Sequence, residues 1–273
     1  MHRVLAVLLS VVIALVALKV LVTLAEPRLV FFPSPGEDDT PATLGIPYQA
    51  RWIETADGER LAAWKLEPPQ PVADVVYFHG NGGNLSVWLP VIVTLHQMNL
   101  RALAVDYRGY GLSSGTASED GLYRDAEAAA RHAIASRTPG RPLIYWGRSL
   151  GGPVAAAAAR AAAPDGLILE STFPDKAAVV RSNPVLGLLN RLSRYRFATV
   201  DLLRDVRTPV LVLHAREDTI VRHALGRELF DRLGPPKQFV TIEGADHNDL
   251  FATTRDAYWR PILEFIAKLP QGR

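Results

Sequence analysis

Short apolar segments alternate with stretches of helical character along most of the chain, and this alternation constrains the possible fold strongly. The segments are "ADVVYFH", "LRALAVDY", "PLIYW", "GLILE", "PVLVLH" and "KQFVTIE". They are largely continuous apolar runs, which is typical of strands buried on both faces of a sheet. Such strands, separated by helices, predict an α/β fold with a mostly parallel central sheet and helices on both faces. Before them, "QARWIET" and "RLAAWKL" around "ADGE" predict an antiparallel hairpin.

Residues 1–25 are predicted to form a single transmembrane anchor. Residues 4–25 are apolar except for one serine, one lysine and one threonine. As a helix, these 22 residues span about 33 Å, enough for a bilayer core of about 30 Å. A cleaved signal peptide is the alternative, because "TLA" before Glu26 is a possible cleavage site. Arg3 on the short flank favours a cytoplasmic amino terminus, which would place the rest of the chain outside the cytoplasm.

Residues 26–47 contain five prolines and several small or acidic residues, and they are predicted to be an extended linker. Residues 48–270 are then predicted to form one domain. Beyond residue 25 the chain holds 28 basic and 28 acidic residues, so its charge gives no support to nucleic-acid binding. The chain has no cysteine, which excludes disulfides, thiolate metal sites and a cysteine nucleophile.

The segment "YWGRSLGGP" places Ser149 where an apolar strand turns into an alanine-rich helix. Gly147-x-Ser149-x-Gly151 has the pattern of a nucleophile elbow, in which a tight turn exposes a reactive hydroxyl. The amides at the start of the helix can stabilise an oxyanion, and Leu150 is predicted to donate one of them. The pattern alone also fits an ordinary glycine-rich helix start, but its position between strand and helix favours the elbow.

A second oxyanion donor is predicted in the loop "HGNGGN", which follows an earlier central strand. The backbone N–H of Asn81 is the candidate, and its glycine neighbours let the amides turn toward the site. His79 is expected to brace this loop through hydrogen bonds. No second histidine lies at ligand spacing from it, so no metal site is predicted.

A serine nucleophile needs a base, and the base needs an orienting carboxylate. His247 is the predicted base, because it lies in the polar loop "EGADHNDLF" after the last strand. His214 and His223 also follow the elbow and are interpreted as structural. Asp218 in "AREDTIV" is the predicted carboxylate, with Glu217 as the neighbouring alternative. Asp246 and Asp249 flank the base, but a triad carboxylate normally comes from another loop.

Together, "FHGNGGN", "DYRGYGLSSG", "GRSLGG", "PVLVLH" with "EDTIV", and "GADHNDL" resemble the BEM46-like, membrane-anchored serine hydrolases of the α/β-hydrolase superfamily. The resemblance covers about residues 30–268. It implies an α/β-hydrolase fold with Ser149 as nucleophile, Asp218 as acid and His247 as base. Ala215 departs from the family, where a glycine commonly follows the histidine at that strand end.

These features predict a serine hydrolase that cleaves a carboxylic ester or thioester, with a small-molecule or lipid-like acyl substrate and no cofactor. Acyl transfer by the same residues is the alternative reaction. A membrane-tethered interaction protein without turnover is the alternative from another class.

Residues 173–205 interrupt the alternation of strands and helices and are predicted to form a short cap over the site. The part from 176 to 200 combines apolar residues with five basic residues and no acidic one. The basic residues are Lys176, Arg181, Arg191, Arg194 and Arg196. A solvated amphipathic helix explains this pattern, and so does a lid that rests on an anionic membrane surface.

Overall fold

The computed structural model describes residues 2–181, 183–253 and 255–270. Within them, one sheet contains the strands β1 (Gln49–Glu54), β2 (Arg60–Leu66), β3 (Ala73–Phe78), β4 (Leu100–Val105), β5 (Leu143–Arg148), β6 (Gly166–Glu170), β7 (Val210–Ala215) and β8 (Lys237–Ile242). The α-helices are α1 (His2–Val30), α2 (Leu85–Gln97), α3 (Glu119–Ala135), α4 (Gly151–Ala161), α5 (Lys176–Val180), α6 (Pro184–Asn190), α7 (Thr199–Leu203), α8 (His223–Arg232), α9 (Leu250–Thr253) and α10 (Arg255–Ala267).

The strands of the sheet lie in the order β1-β2-β4-β3-β5-β6-β7-β8. β2 runs antiparallel to both of its neighbours, β1 and β4. All other neighbouring strands are parallel. The predicted mostly parallel sheet with an antiparallel hairpin at its edge is therefore confirmed.

Helices cover both faces of the sheet, as the continuous apolar strands predict. On one face, α2 and α10 pack against the sheet through buried residues such as Ile92 and Ile262. On the other face, α3, α4 and α8 contribute Leu122, Val154 and Leu229 to a second buried cluster. The central strands β3, β5, β6 and β7 are buried along their whole length.

The alanine tract of α4 lets this helix lie close to the sheet. Residues 155–159 are all alanine and each is at most 4% exposed. Larger side chains at these positions would push the helix away from the strands. The tract is thus a packing surface, and alanine also has the highest helix propensity.

The amino-terminal segment differs from the prediction, because α1 continues past residue 25 to Val30. The predicted linker 26–47 therefore begins as helix and then packs on the domain rather than extending freely. Phe31 is buried, and Phe32 and Pro33 pair with a two-residue strand at residues 82–83. Burial of Phe31 and the strand pairing of the next two residues hold the segment against the domain.

Among the described residues, α1 is the helix that is long and apolar enough to span a membrane, a property it shares with signal sequences. The predicted cap, residues 173–205, contains the short helices α5, α6 and α7. Met1 of the predicted anchor and Ser182 of the predicted cap lie outside the described residues.

A buried arginine ties the edge hairpin to helix α3. The Arg108 guanidinium donates to both carboxylate oxygens of Asp57, in the hairpin turn, at 2.9 and 3.0 Å. It also donates to Asp125 of α3 at 2.8 Å. Burial raises the pKa of Asp125 to about 6 even though Arg108 opposes the shift. Arg124 contacts Asp57 as well, but its side chain is 57% exposed.

We expect Arg108→Met to lower the free energy of unfolding by about 3–5 kcal/mol, since it leaves Asp125 buried without its cation. Arg124→Met is the matched control, because it removes an exposed partner of the same Asp57, and it should change stability by less than about 0.5 kcal/mol. Urea unfolding of the full chain in detergent, followed by tryptophan fluorescence, measures both. Equal losses in the two variants would contradict the central role of Arg108.

Candidate active site

Ser149 lies in the turn between β5 and α4 with a φ of 52°, in the left-handed region that a residue with a side chain rarely adopts. The backbone around it is tightly packed. A side chain at Gly147 would overlap the carbonyl of Gly151, and one at Gly151 would overlap the carbonyl of Phe78. The turn therefore requires glycine at both positions, as the elbow pattern predicts.

Hydrogen bonds with β6, with α4 and with the segment after β6 hold the Ser149 backbone. Its N–H donates to the carbonyl of Glu170 at 2.9 Å. Its carbonyl accepts from the N–H of Gly152 at 2.9 Å and from the Thr172 hydroxyl at 2.8 Å. The side chain of Ser149 is thus presented from a backbone that is fixed on both sides.

His247 and Asp218 come together as the sequence predicts, although they are far apart in the chain. The Nδ1 of His247 lies 2.7 Å from Oδ2 of Asp218, and each residue is only 5% exposed. The other oxygen of Asp218 accepts the N–H groups of Ile220 at 3.0 Å and Val221 at 2.7 Å. These bonds orient the carboxylate toward the imidazole.

Asp218 carries a negative charge at neutral pH. Burial alone would raise the pKa of this carboxyl, but hydrogen bonds from His214 and His247 outweigh burial and hold the pKa well below its usual range. The buried His214 is a contact that the sequence did not reveal. Its Nε2 lies 3.4 Å from Oδ2 of Asp218 and 2.6 Å from the carbonyl of Val221.

The alternative acidic residues have other partners. Glu217 is exposed and accepts the N–H of Gly244 at 3.1 Å. Asp246 accepts the N–H and the hydroxyl of Thr219 at 2.8 and 3.0 Å, which ties the loop of Asp218 to the loop of His247. Asp249 accepts the N–H of Asp246 at 2.7 Å. Asp218 alone of these four contacts the imidazole of His247.

Ser149 and His247 line one open cleft of about 840 Å³, together with Asn81 and Arg148. Much of the lining is apolar. These apolar residues are Phe32, Val87, Trp88, Pro90, Val91 and Ile220. Leu150 follows Ser149 directly and is buried at the amino end of α4.

The loop that carries Asn81 is held from two sides. The Asn81 side chain donates to the carbonyl of Val30 at 2.6 Å and accepts from the Tyr110 hydroxyl at 3.0 Å. The Nδ1 of the buried His79 lies 2.7 Å from the carbonyl of Gly80. His79 therefore contacts the loop as predicted. The hydrogen bond between Asn81 and Val30 of α1 could not be predicted from the sequence.

The sequence also did not predict a buried ion pair that lies behind the site. Arg148 donates to Glu170 at 3.0 Å and to the carbonyl of His247. Glu170 also accepts from Trp146 at 2.8 Å and from the Tyr258 hydroxyl at 2.9 Å. The sequence held one indication of this pair. Arg148 and Glu170 are the last residues of β5 and β6, which are neighbours in the sheet.

Within the described ranges, no group of three or more His, Cys, Asp or Glu residues is arranged to hold a metal ion.

The fold is similar to that of the esterase Pf2001 of Pyrococcus furiosus, with a TM-score of 0.72 and 19% identity over 89% of this chain and 98% of that one. It is also similar to an esterase domain of Rhodothermus marinus, with a TM-score of 0.61 and 24% identity over 82% and 99%.

The sequence comparisons agree with the fold. A hydrolase family model described as "Serine aminopeptidase, S33" matches residues 69–202. The α/β-hydrolase domain-containing protein WAV2 of Arabidopsis thaliana is 31% identical over 95% of this chain and 92% of its own length. Protein bem46 of Schizosaccharomyces pombe is 30% identical over 84% and 80%. The chain therefore belongs to the BEM46-like family of α/β hydrolases.

Proposed function

We propose that the protein is a serine hydrolase that cleaves a carboxylic ester or thioester through Ser149, His247 and Asp218. One observation carries the proposal. Ser149 at its strained turn and His247 bound to Asp218 line the same cleft. A nucleophile, a base and an orienting carboxylate in this arrangement are the components of a catalytic triad.

In this mechanism, the hydroxyl oxygen of Ser149 attacks the acyl carbon while His247 takes its proton. The imidazolium that forms is stabilised by the ionised Asp218, whose pKa is held low by its two histidine neighbours. The tetrahedral intermediate collapses to an acyl-enzyme, and His247 returns the proton to the leaving alcohol or thiol. A water molecule then repeats the sequence and releases the carboxylic acid.

The oxyanion of the intermediate needs hydrogen-bond donors, and we assign this role to the backbone N–H groups of Leu150 and Asn81. Leu150 follows the nucleophile at the start of α4, where the helix dipole favours negative charge. Asn81 belongs to the loop braced by His79 and Tyr110, which borders the same cleft.

The cleft supports an apolar acyl group as substrate. Phe32, Val87 and Ile220 line it and are each 59% exposed, so they offer unpartnered apolar surface to a hydrocarbon chain.

We propose in addition that α1 is an uncleaved single-pass anchor. The helix passes through Ala25 and Glu26 without a break and ends against the domain.

We expect Ser149→Ala to abolish labelling by a fluorophosphonate probe and to lower ester hydrolysis by about 10⁶-fold, the loss seen when a comparable triad loses its serine. Ser34→Ala is the control, because Ser34 lines the same cleft and should keep both activities. In-gel fluorescence and hydrolysis of a short soluble ester measure the two properties. Absence of labelling in the unaltered protein would favour the non-catalytic interaction protein.

We expect Asp218→Asn to lower kcat by roughly 10³–10⁴-fold, because the neutral amide no longer holds the imidazole in its working tautomer. Glu217→Gln changes the adjacent residue in the same way and should leave kcat within about two-fold, since that side chain is exposed and bonds only to a loop amide. Steady-state kinetics on the same ester compares them. The reverse ranking would assign the acid role to Glu217.

A further inference from the structure

The end of helix α1 is bound to the cap through a buried carboxylate. Glu26 is 4% exposed, and its carboxylate lies 2.7 Å from the Lys176 ammonium group. It also accepts the backbone N–H of Arg194 at 3.1 Å and the hydroxyl of Ser193. Because two separate cap segments bind this one side chain, α1 meets the domain at a defined position.

An aromatic contact reinforces the junction between α1 and the cap. Phe31, the residue after the helix, is 4% exposed. Its ring centroid lies 5.5 Å from that of Tyr195 and 6.1 Å from that of Phe197, in edge-to-face arrangements. Such aromatic pairs are favourable beyond their buried area. The cap is therefore held beside the carboxyl end of α1.

Next to this junction, α1 and the cap line an open cavity of about 420 Å³. This volume is in the range of pockets that bind small organic ligands, about 300–1,000 Å³. Its apolar walls are Leu21, Val22, Ala25 and Leu29 from α1 and Val180 and Leu186 from the cap. Its polar lining residues are Glu26, Lys176, Ser193 and Asn190. The first three bind one another, while the buried Oδ1 of Asn190 has no hydrogen-bond partner among the described residues.

The cap helix α6 presents apolar side chains beside this cavity. Val185 is 65% exposed, Leu186 46% and Leu188 63%. The most apolar part of α1 is likewise exposed. A continuous apolar surface of this kind is unfavourable in water and favourable in hydrocarbon. Since one wall is a helix suited to a bilayer, membrane lipid is the medium that would fill the cavity.

We propose that the cavity between α1 and the cap binds an acyl chain of a bilayer phospholipid, and that α6 lies in the membrane interface beside it. The occupant follows from the walls, which are apolar and extend at Leu21 and Val22 into the predicted membrane span. The proposal rests on α1 as an anchor and is independent of the catalytic roles of Ser149, Asp218 and His247.

The chain contains no cysteine, so single introduced cysteines can be labelled without removing native ones. Leu186→Cys places a bimane fluorophore on the cavity wall. Val72→Cys is the matched control, since Val72 is also exposed but lies at the amino end of the central strand β3, whereas the cap follows the carboxyl end of the parallel strand β6. Leu15→Cys reports on α1 itself. Each full-length variant is reconstituted in phosphatidylcholine vesicles containing lipids with a doxyl quencher on the acyl chain.

We expect strong quenching at Leu15 and Leu186 and about ten-fold less at Val72, because only the first two positions contact lipid chains. Adding Ala25→Phe to Leu186→Cys should reduce quenching at Leu186 by about half, since the ring occupies the cavity, and leave quenching at Leu15 unchanged in a matched double variant. This second measurement separates an occupied cavity from simple proximity to the bilayer.

Quenching at Leu15 with none at Leu186 would overturn the lipid site while preserving the anchor. Absence of quenching at all three positions would overturn the anchor as well. A second copy of the chain over the cavity is also distinguishable. If a second copy covers the cavity, the Leu186→Cys variant should form disulfide-linked dimers under mild oxidation and show low quenching. That result would overturn the proposal. Hydrolysis of a soluble ester, measured on the same vesicles, tests the catalytic proposal separately.

Discussion

The position of Ser149 depends on a turn in which the backbone leaves no space for side chains. Gly147 lies against Gly151, Gly151 against the carbonyl of Phe78, and Gly152 against Thr172. Ends of the central strands and the start of α4 therefore meet at one point. A left-handed φ at a residue with a side chain costs about 1–3 kcal/mol, and the packed sheet on both sides holds Ser149 in it. Strain and close packing together place the hydroxyl above the sheet.

The buried pair behind this turn links the two halves of the site. Arg148 precedes the serine, and it joins Glu170 on the next strand to the backbone of the loop that carries His247. Burying these charges requires many compensating hydrogen bonds, and Trp146 and Tyr258 supply further ones. Ser149 and His247 are thus both connected to one buried cluster, although they lie 98 positions apart in the sequence.

The order of strands and helices and the candidate triad could be predicted because each depends on local signals. Apolar runs identify buried strands, paired glycines identify the elbow at Ser149, and polar loops after strands identify Asp218 and His247. Contacts that depend on the register between distant segments could not be predicted. Glu26 and Lys176 are 150 residues apart, and no local pattern shows that the first will be buried against the second. For the same reason the sequence did not predict that the linker expected from residue 26 begins as helix and that Phe31 is buried against the domain.

The path of the chain after α1 has a mechanical consequence. The carbonyl of Val30 accepts from the Asn81 side chain, and Phe32 and Pro33 pair in parallel with Gly82 and Gly83. A flexible linker between a membrane anchor and its domain normally takes up a force before the force reaches the domain. Here no free chain lies between α1 and the domain, because Glu26 binds the cap and Val30 binds the side chain of Asn81. The cap and the wall of the cleft are therefore the two parts of the domain that any force on α1 would reach first.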